Sequence, residues 1–327
     1  MTLVLSRSDV LGLLSLPECI EAVEGAFRLH AEGKTLGPGV LSVPAADGGF
    51  HIKAAGLVGE RSYFAAKTNA NYSENSRRWG LPTIQGMIVL ADASNGTPLA
   101  VIESGSVTAL RTGAATAVAA TFLSRPDART ATIVGCGVQG EIQLAAITAV
   151  LPLQRVMLLD ADHTRAEGLA ARAGGRNGVR LEAAKDLEPA LRESDVCVTC
   201  TTSRHAFVQK NAVVPGTFIA AVGADNPDKQ ELEPALLASA TLVVDVLHQC
   251  AEIGELHHAL AAGLLTRDRV HAELADVVAG RRPGRTREDE ITIFDSSGTA
   301  LQDVAAAVAV YEKASAAGRG TAVEIDA

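Results

Sequence analysis

The sequence predicts an α/β protein in which a doubly wound parallel sheet is joined to a second, discontinuous α+β domain. Three observations carry that expectation. From about residue 130 onward, short apolar runs alternate with helical stretches, the pattern of parallel strands linked by crossover helices. Before that point the apolar runs are separated by turn residues instead, which reads as mostly antiparallel β structure. A helix near the C-terminus is as Ala-rich as one at 107–124, and it is expected to pack back onto the first domain.

The 327 residues suffice for two domains of roughly 100–200 residues each. They are placed at 1–125, completed by 298–327, and at 126–297. Residues 1–36 read as a short strand and a helix. Ser15, Pro17 and Glu18 open that helix, and Ile20, Val23, Phe27 and Leu29 supply its apolar face. Turn signals then follow at Gly37-Pro38-Gly39, Asp47-Gly48-Gly49 and Asn95-Gly96. The last lies between Ile88-Val89-Leu90 and Leu99-Ala100-Val101-Ile102, a hairpin signal. A long Ala/Thr/Val helix at 107–124 ends near Arg125-Pro126. Beyond it, strands are expected at 131–134, 155–159, 196–199, 217–222 and 241–244, with helices between them, one at 138–150. The final helix is placed at about 298–314.

Composition narrows the function. Apolar residues make up 47 % of the chain and charged ones 20 %, a balance that builds real cores and argues against wholesale disorder. The net charge is −9, and no basic stripe marks a nucleic-acid partner. Arg281, Arg282, Arg285 and Arg287 cluster, but Glu288, Asp289 and Glu290 follow at once, so the stretch reads as a solvated loop. The cysteines, Cys19, Cys136, Cys197, Cys200 and Cys250, are odd in number, which suits reduced thiols in the cytosol. The N-terminus lacks the regions of a signal peptide. No apolar run approaches the roughly 18–20 residues needed to span a membrane. A cytoplasmic protein with no membrane or nucleic-acid partner is expected.

The strongest motif is Ile133-Val134-Gly135-Cys136-Gly137-Val138-Gln139-Gly140, a strand running into Gly-x-Gly-x-x-Gly. Alone the hexapeptide is weak, but a strand precedes it, a helix follows it, and a second strand ends in Asp160, 20 residues beyond Gly140. This is the Rossmann dinucleotide-binding pattern. Gly135 permits the tight turn, Gly137 lets backbone amides approach a pyrophosphate, and Gly140 allows close helix–strand packing. The helix N-terminus offers amides to the phosphates. Asp160 is placed to accept hydrogen bonds from the adenosine ribose and repels a 2′-phosphate, so NAD is expected. NADP stays as the alternative, because Arg165 lies nearby.

The chain also resembles the ornithine cyclodeaminase/μ-crystallin family. The resemblance rests on Lys67-Thr68-Asn69, Gly80-Leu81-Pro82-Thr83, Leu90-x-Asp92 with Asn95-Gly96, Leu110-Arg111-Thr112-Gly113-Ala114-Ala115 and the Gly135–Gly140 loop. Gly223-Ala224-Asp225-x-Pro227-x-Lys229-x-Glu231-Leu232 and Asp295-Ser296-Ser297-Gly298 complete it. These run in family order from about residue 50 to 310. The resemblance implies a homodimer, a substrate domain built from the N-terminal part plus the C-terminal helix, and an active site between that domain and the nucleotide domain. It implies hydride transfer between nicotinamide and the α-carbon of a small amino or imino acid, as in ketimine reductases and alanine dehydrogenases. The alternatives are an ornithine or lysine cyclodeaminase, an ammonia-lyase that recycles its NAD, and a non-catalytic protein that binds nucleotide and a small ligand.

Site residues follow position by position. Lys67 matches the substrate-binding lysine. In the apolar run Tyr63-Phe64-Ala65-Ala66 a lysine is costly unless paired; the plain alternative is a snorkelling surface lysine. Arg111 has a planar fork suited to carboxylate or phosphate, with a structural salt bridge as its alternative. Asp225 follows the strand at 217–222, where parallel strands face the ligand crevice, and the resemblance gives it the acid/base role. A loop aspartate turning before Pro227 is the alternative. Thr83, Val138, Gln139, Thr201, Val222, Lys229 and Ser296 match cofactor positions, and Ser297 a substrate contact. Two departures matter. Gly39 stands where cyclodeaminases carry a carboxylate-gripping arginine, and His51-Ile52-Lys53 holds no counterpart of their glutamate. Lys53 is a candidate replacement for the missing positive charge; a plain exposed strand lysine is the alternative. Both departures argue against ornithine cyclisation.

No metal site is expected. Cys197 and Cys200 are read as lying in one buried strand with no second pair at ligand spacing. His248, Cys250, His257 and His258 are read as falling on one helical stretch, with the histidines as surface or interface residues.

Overall fold

The computed structural model describes residues 1–174 and 178–325. The chain divides into two compact units. One is Met1–Arg111 with Thr299–Ala327, the other Thr112–Gly298. The division falls inside one continuous helix, Ser104–Leu123, rather than at the Arg125-Pro126 break.

The first unit runs β1 (Thr2–Leu5), α1 (Arg7–Leu13), α2 (Leu16–Ala31), β2 (Thr35–Ala45), β3 (Gly48–Leu57), β4 (Tyr63–Asn71), α3 (Asn75–Trp79), β5 (Ile84–Asp92), β6 (Pro98–Glu103) and the start of α4 (Ser104–Leu123). The later α12 (Ala300–Ala317) and β17 (Thr321–Val323) complete it. The sequence reading had one N-terminal helix. Two form, because Ser6 with Asp9 and Ser15 with Glu18 each build a capping box. The seven strands order as β17-β1-β6-β5-β4-β3-β2, and β2 to β6 pair antiparallel in succession. Side chains alternate across the sheet. One face of β4 buries Tyr63, Ala65, Lys67 and Asn69, while Phe64 points the other way and is exposed. Helix α12 packs on the buried face against β3 and β4 and also against α2.

The second unit runs β7 (Thr130–Val134), α5 (Val138–Val150), β8 (Arg155–Leu159), α6 (His163–Ala173), β9 (Arg180–Ala183), α7 (Leu187–Arg192), β10 (Val196–Thr199) and β11 (Arg204–Val208). It continues with β12 (Phe218–Ala221), β13 (Gln230–Leu232), α8 (Pro234–Leu237), β14 (Thr241–Val244), α9 (Leu247–Ile253), α10 (Glu255–Ala261), β15 (Ala272–Glu273), α11 (Leu274–Val278) and β16 (Thr292–Asp295). Eight strands form a parallel sheet in the order β15-β14-β16-β12-β10-β7-β8-β9. The order turns back on itself between β7 and β10, the switch point where doubly wound sheets receive ligands. Two local readings need correcting. Cys200 lies just past the end of β10, not within it. The stretch carrying His248 to His258 is broken into α9 and α10 by Gly254, because the Asp295 carboxylate occupies the space beside that residue: a Cβ there would lie 2.7 Å from Asp295 Oδ2.

Candidate active site

The functional side chains fall into one group in each unit. In the first, the register puts Lys53 of β3 directly opposite Lys67 of β4 on the buried face. Like charges in that relation repel. Arg111 on α4 joins them, and all three are buried, so neither lysine is the surface residue that was its alternative. One carboxylate answers Lys67 and Arg111. Asp303 of α12 lies 2.7 Å from Lys67 Nζ and 3.0 Å from Arg111 Nε, and Gln302 Oε1 accepts from Arg111 Nη1 at 2.8 Å. Asp303 is the only buried carboxylate of this unit among the described residues. Arg111 Nε, Gln302 Nε2 and Asp303 Oδ2 have no aligned hydrogen-bond partner among the described residues. Burial holds the Lys67 ammonium below the usual lysine range, with Arg111 and Lys53 adding to the effect and Asp303 opposing it. The same cations hold the Asp303 carboxyl low against its own burial. Arg111 thus does make the structural salt bridge that was its alternative, yet the cluster keeps an excess of cations that an anionic ligand would neutralise.

Sequence reading missed Gln302 and Asp303. Their signal was two polar residues in a helix otherwise rich in Ala and Val, since a helix apolar on every side is buried and a carboxylate within it needs a partner. Thr83 also belongs to this unit, half-buried just before β5.

In the second unit, the Gly135–Gly140 loop joins β7 to α5. Gly135 takes φ +103°, and a Cβ there would meet the Cys200 carbonyl. At Gly140 a Cβ would lie 2.1 Å from the Gly135 carbonyl oxygen. At Gly137 it would meet nothing within 4 Å, so the backbone there is open to a ligand. Gly137 caps α5 with no side chain, which leaves the first-turn N–H groups near Val138 and Gln139 available to phosphate. Asp160, at the end of β8, accepts from Cys136 N (2.8 Å) on Oδ2 and from Asp162 N (3.0 Å) on Oδ1. Each oxygen keeps a lone pair for a ribose hydroxyl. Arg165 faces the exposed Asp162 at 3.7 Å. These residues fit a dinucleotide.

The other cofactor candidates stand at strand ends of the same sheet. Thr201 follows β10 and donates to Glu231 Oε1 from both its N–H and its hydroxyl. The Val222 N–H donates to the Thr199 carbonyl, and the Ser296 N–H to the Ala221 carbonyl. Asp225 is half-exposed and lies 2.7 Å from Lys229 Nζ. The Lys229 carbonyl is held by His258 Nε2 at 2.8 Å. Ser297 is buried and its hydroxyl donates to Asp245. No group of three potential metal ligands occurs among the described residues, and no described helix is long and apolar enough to cross a membrane.

A sequence profile described as the ornithine cyclodeaminase/mu-crystallin family matches residues 1–318. The alanine dehydrogenase of Archaeoglobus fulgidus is 38 % identical over 315 residues, covering 96 % of this chain and 95 % of that protein. An archaeal alanine dehydrogenase dimer solved with bound NAD superposes with a TM-score of 0.94 at 37 % identity, over 99 % of both chains. The Thermococcus litoralis Δ1-pyrroline-2-carboxylate reductase, in complex with NADH and L-proline, gives a TM-score of 0.94 at 34 % identity, covering 98 % of this chain and all of that one.

Proposed function

The chain belongs to the ornithine cyclodeaminase/mu-crystallin family, and we propose that it is an NAD-dependent oxidoreductase acting at the α-carbon of a small amino or imino acid. The observation that carries this reading is the buried cation excess of the first unit. Lys67 and Arg111 share the single buried carboxylate of Asp303, two charges against one, and buried charge without compensation is costly. A substrate carboxylate supplies the missing anion. Lys67 and Arg111 hold it, with Lys53 beside them. Gly39 in place of the cyclodeaminases' arginine and the lack of their glutamate at His51-Ile52-Lys53 favour a reductase or dehydrogenase over a cyclodeaminase.

Asp225 is the acid/base group: its half-exposed carboxylate, 2.7 Å from Lys229 Nζ, can take a proton from the substrate amine or give one to the imine nitrogen. The Gly135–Gly140 loop, Val138 and Gln139 receive the pyrophosphate, and Asp160 the ribose. Thr83, Arg111, Thr201, Val222, Lys229 and Ser296 complete the cofactor contacts. Ser297 is assigned a bracing part through Asp245 and, beyond that, a place at the substrate's edge. When bound, the nicotinamide supplies or accepts the hydride. NAD is favoured over NADP because Asp160 is a carboxylate and Arg165 is turned to Asp162.

The protein is further assigned as a homodimer. Leu36, Leu41, Val43, Phe50, Phe64, Met87 and Val89 are exposed and by register share the face of the first sheet opposite α12. Contiguous exposed apolar surface of this kind marks an interface, and the similar archaeal enzyme was solved as a dimer.

The deciding assay follows NADH and NADPH consumption with pyruvate plus ammonia or methylamine and with five- and six-membered cyclic imino acids, and ammonia release from ornithine with NAD. Oxidation of NADH with an imine is expected, and Asp225→Asn should abolish it. Ammonia from ornithine without net NADH would overturn the reductase reading in favour of the lyase. Nucleotide binding with no turnover of any of these would favour a binding protein.

A further inference from the structure

The second unit buries five carboxylates, Glu231, Asp245, Glu255, Glu290 and Asp295, and among its described residues no lysine or arginine reaches the same burial. Four of the five are bound in one manner, with a backbone N–H on each oxygen. Asp295 accepts from Glu255 N (3.1 Å) and Leu256 N (2.8 Å). Glu255 accepts from Glu231 N (2.7 Å) and Leu232 N (3.1 Å). Glu231 accepts from Thr201 N (2.7 Å) on Oε1 and Gly223 N (3.0 Å) on Oε2, with the Thr201 and Thr199 hydroxyls adding one bond to each oxygen. Asp245 accepts from Val246 N and Gly298 N.

The first three form a relay. Each carboxylate grips the backbone of the residue that bears the next one: Asp295 holds Glu255, Glu255 holds Glu231, and Glu231 holds the two turns that follow β10 and β12. The sequence leaves room for it. A Cβ on Gly223 would lie 2.5 Å from Glu231 Cδ, so the carboxylate fills the volume that a side chain would take. Helix α10 serves as the backing, since it also carries His258, which holds the Lys229 carbonyl.

We propose that Glu231 is a positioning residue, which locks the Thr201 turn to the Gly223–Asp225 turn and so sets where the acid/base carboxylate stands relative to the bound nucleotide. This rests on the roles given above to Thr201 and Asp225. Glu231 touches neither substrate nor cofactor; it acts through the two turns. Its side chain tolerates no amide, because each oxygen faces a backbone N–H. Whichever way a glutamine is turned, its NH2 opposes a donor.

The test compares wild type, Glu231→Gln and a core control, Leu236→Ala, as full-length protein. Three readouts are taken: backbone amide exchange by mass spectrometry without nucleotide, NADH affinity by fluorescence, and steady-state kinetics. In Glu231→Gln, exchange is expected to rise together at residues 199–203 and 222–226. The NADH Kd is expected to rise about tenfold and kcat to fall about tenfold, the size of a lost charge-assisted bond. The KM for the imino substrate should hold, because the cationic cluster is untouched. Leu236→Ala should lower Tm and leave kcat unchanged. Should Glu231→Gln fail to fold, Thr199→Val removes one bond to Oε2 alone, and a shift of about threefold in the same direction is expected. A lowered Tm with kcat and NADH affinity unchanged would overturn the proposal, as would faster exchange at only one of the two turns. Wild-type protein that binds no NADH would overturn the oxidoreductase reading instead, while the exchange result still judges the lock.

Discussion

Both units bury charge, and they do so in opposite ways. The first sets two buried cations, Lys67 and Arg111, against one carboxylate, Asp303, with Lys53 across the strand pair from Lys67. The second buries carboxylates in the absence of equally buried cations, yet four of them have a backbone N–H on both oxygens. The contrast separates two uses of buried charge. Charge that the chain satisfies by itself holds backbone in place. Charge that the chain leaves in excess is kept for a ligand.

The largest effects should come from upsetting the first cluster's balance. Asp303→Ala leaves Lys67 and Arg111 without their shared carboxylate, and breaking a buried pair from one side costs about 3–5 kcal/mol. Denaturant unfolding should show a loss of that size. Lys67→Met removes a cation instead, relieves the repulsion from Lys53 and Arg111, and should change stability by less than about 1 kcal/mol, while kcat/KM falls about a hundredfold or more. The double variant Lys67→Met/Asp303→Leu should recover part of the lost stability and none of the activity. Equal destabilisation by Asp303→Ala and Lys67→Met would show that the cluster is scaffold and would dissolve the contrast.

The second unit should respond in the reverse sense. Glu255→Gln sets an NH2 against the Glu231 or Leu232 N–H, an unsatisfied buried donor worth about 1–3 kcal/mol. Unfolding should show that loss, with a smaller fall in NADH affinity than in Glu231→Gln because Glu255 stands one step further back. Activity lost without stability would place Glu255 with the ligand-binding charges instead.

How far the sequence carried this picture depended on the range of the signal. The glycine loop, the strand ending at Asp160 and the Asn95-Gly96 hairpin are local patterns, and they were legible, as was the return of the C-terminal helix to the first unit. The exposed-or-buried question at Lys53 and Lys67 was not, because it turns on cross-strand register and on which face α12 covers. The relay was invisible for a related reason. Glu231, Glu255 and Asp295 are separated by 24 and 40 residues, and each meets a backbone N–H rather than a complementary side chain, so no residue type marks its partner. Sequence reading takes carboxylates on strand ends for solvent-facing or catalytic groups; here burial beside free N–H groups decides otherwise. At Ser297 the hydroxyl is taken by Asp245, a neighbour that no spacing rule connects to it.

The smallest effect is a titration. The Lys67 ammonium is drawn down to about 7, by burial first and then by Arg111 and Lys53, with Asp303 opposing. A carboxylate ligand binds the charged form, so binding must restore the proton wherever Lys67 has lost it. The sign follows: affinity is flat below the free protein's value and declines as pH rises through it, approaching about tenfold per pH unit at the limit. Calorimetric titration of the NADH-loaded protein with pyruvate, repeated from acid to alkaline pH in buffers of different ionisation enthalpy, should show proton uptake above neutrality. Lys67→Met should bind more weakly and lose the dependence. Asp295 in the second unit, which burial also brings to about 7, provides the internal comparison, because its carboxylate faces backbone and no ligand. Asp295→Asn should therefore change stability and leave the pH dependence of pyruvate affinity as it was. A dependence that survived Lys67→Met and vanished with Asp295→Asn would reverse the assignment of ligand-binding and scaffold charge between the two units.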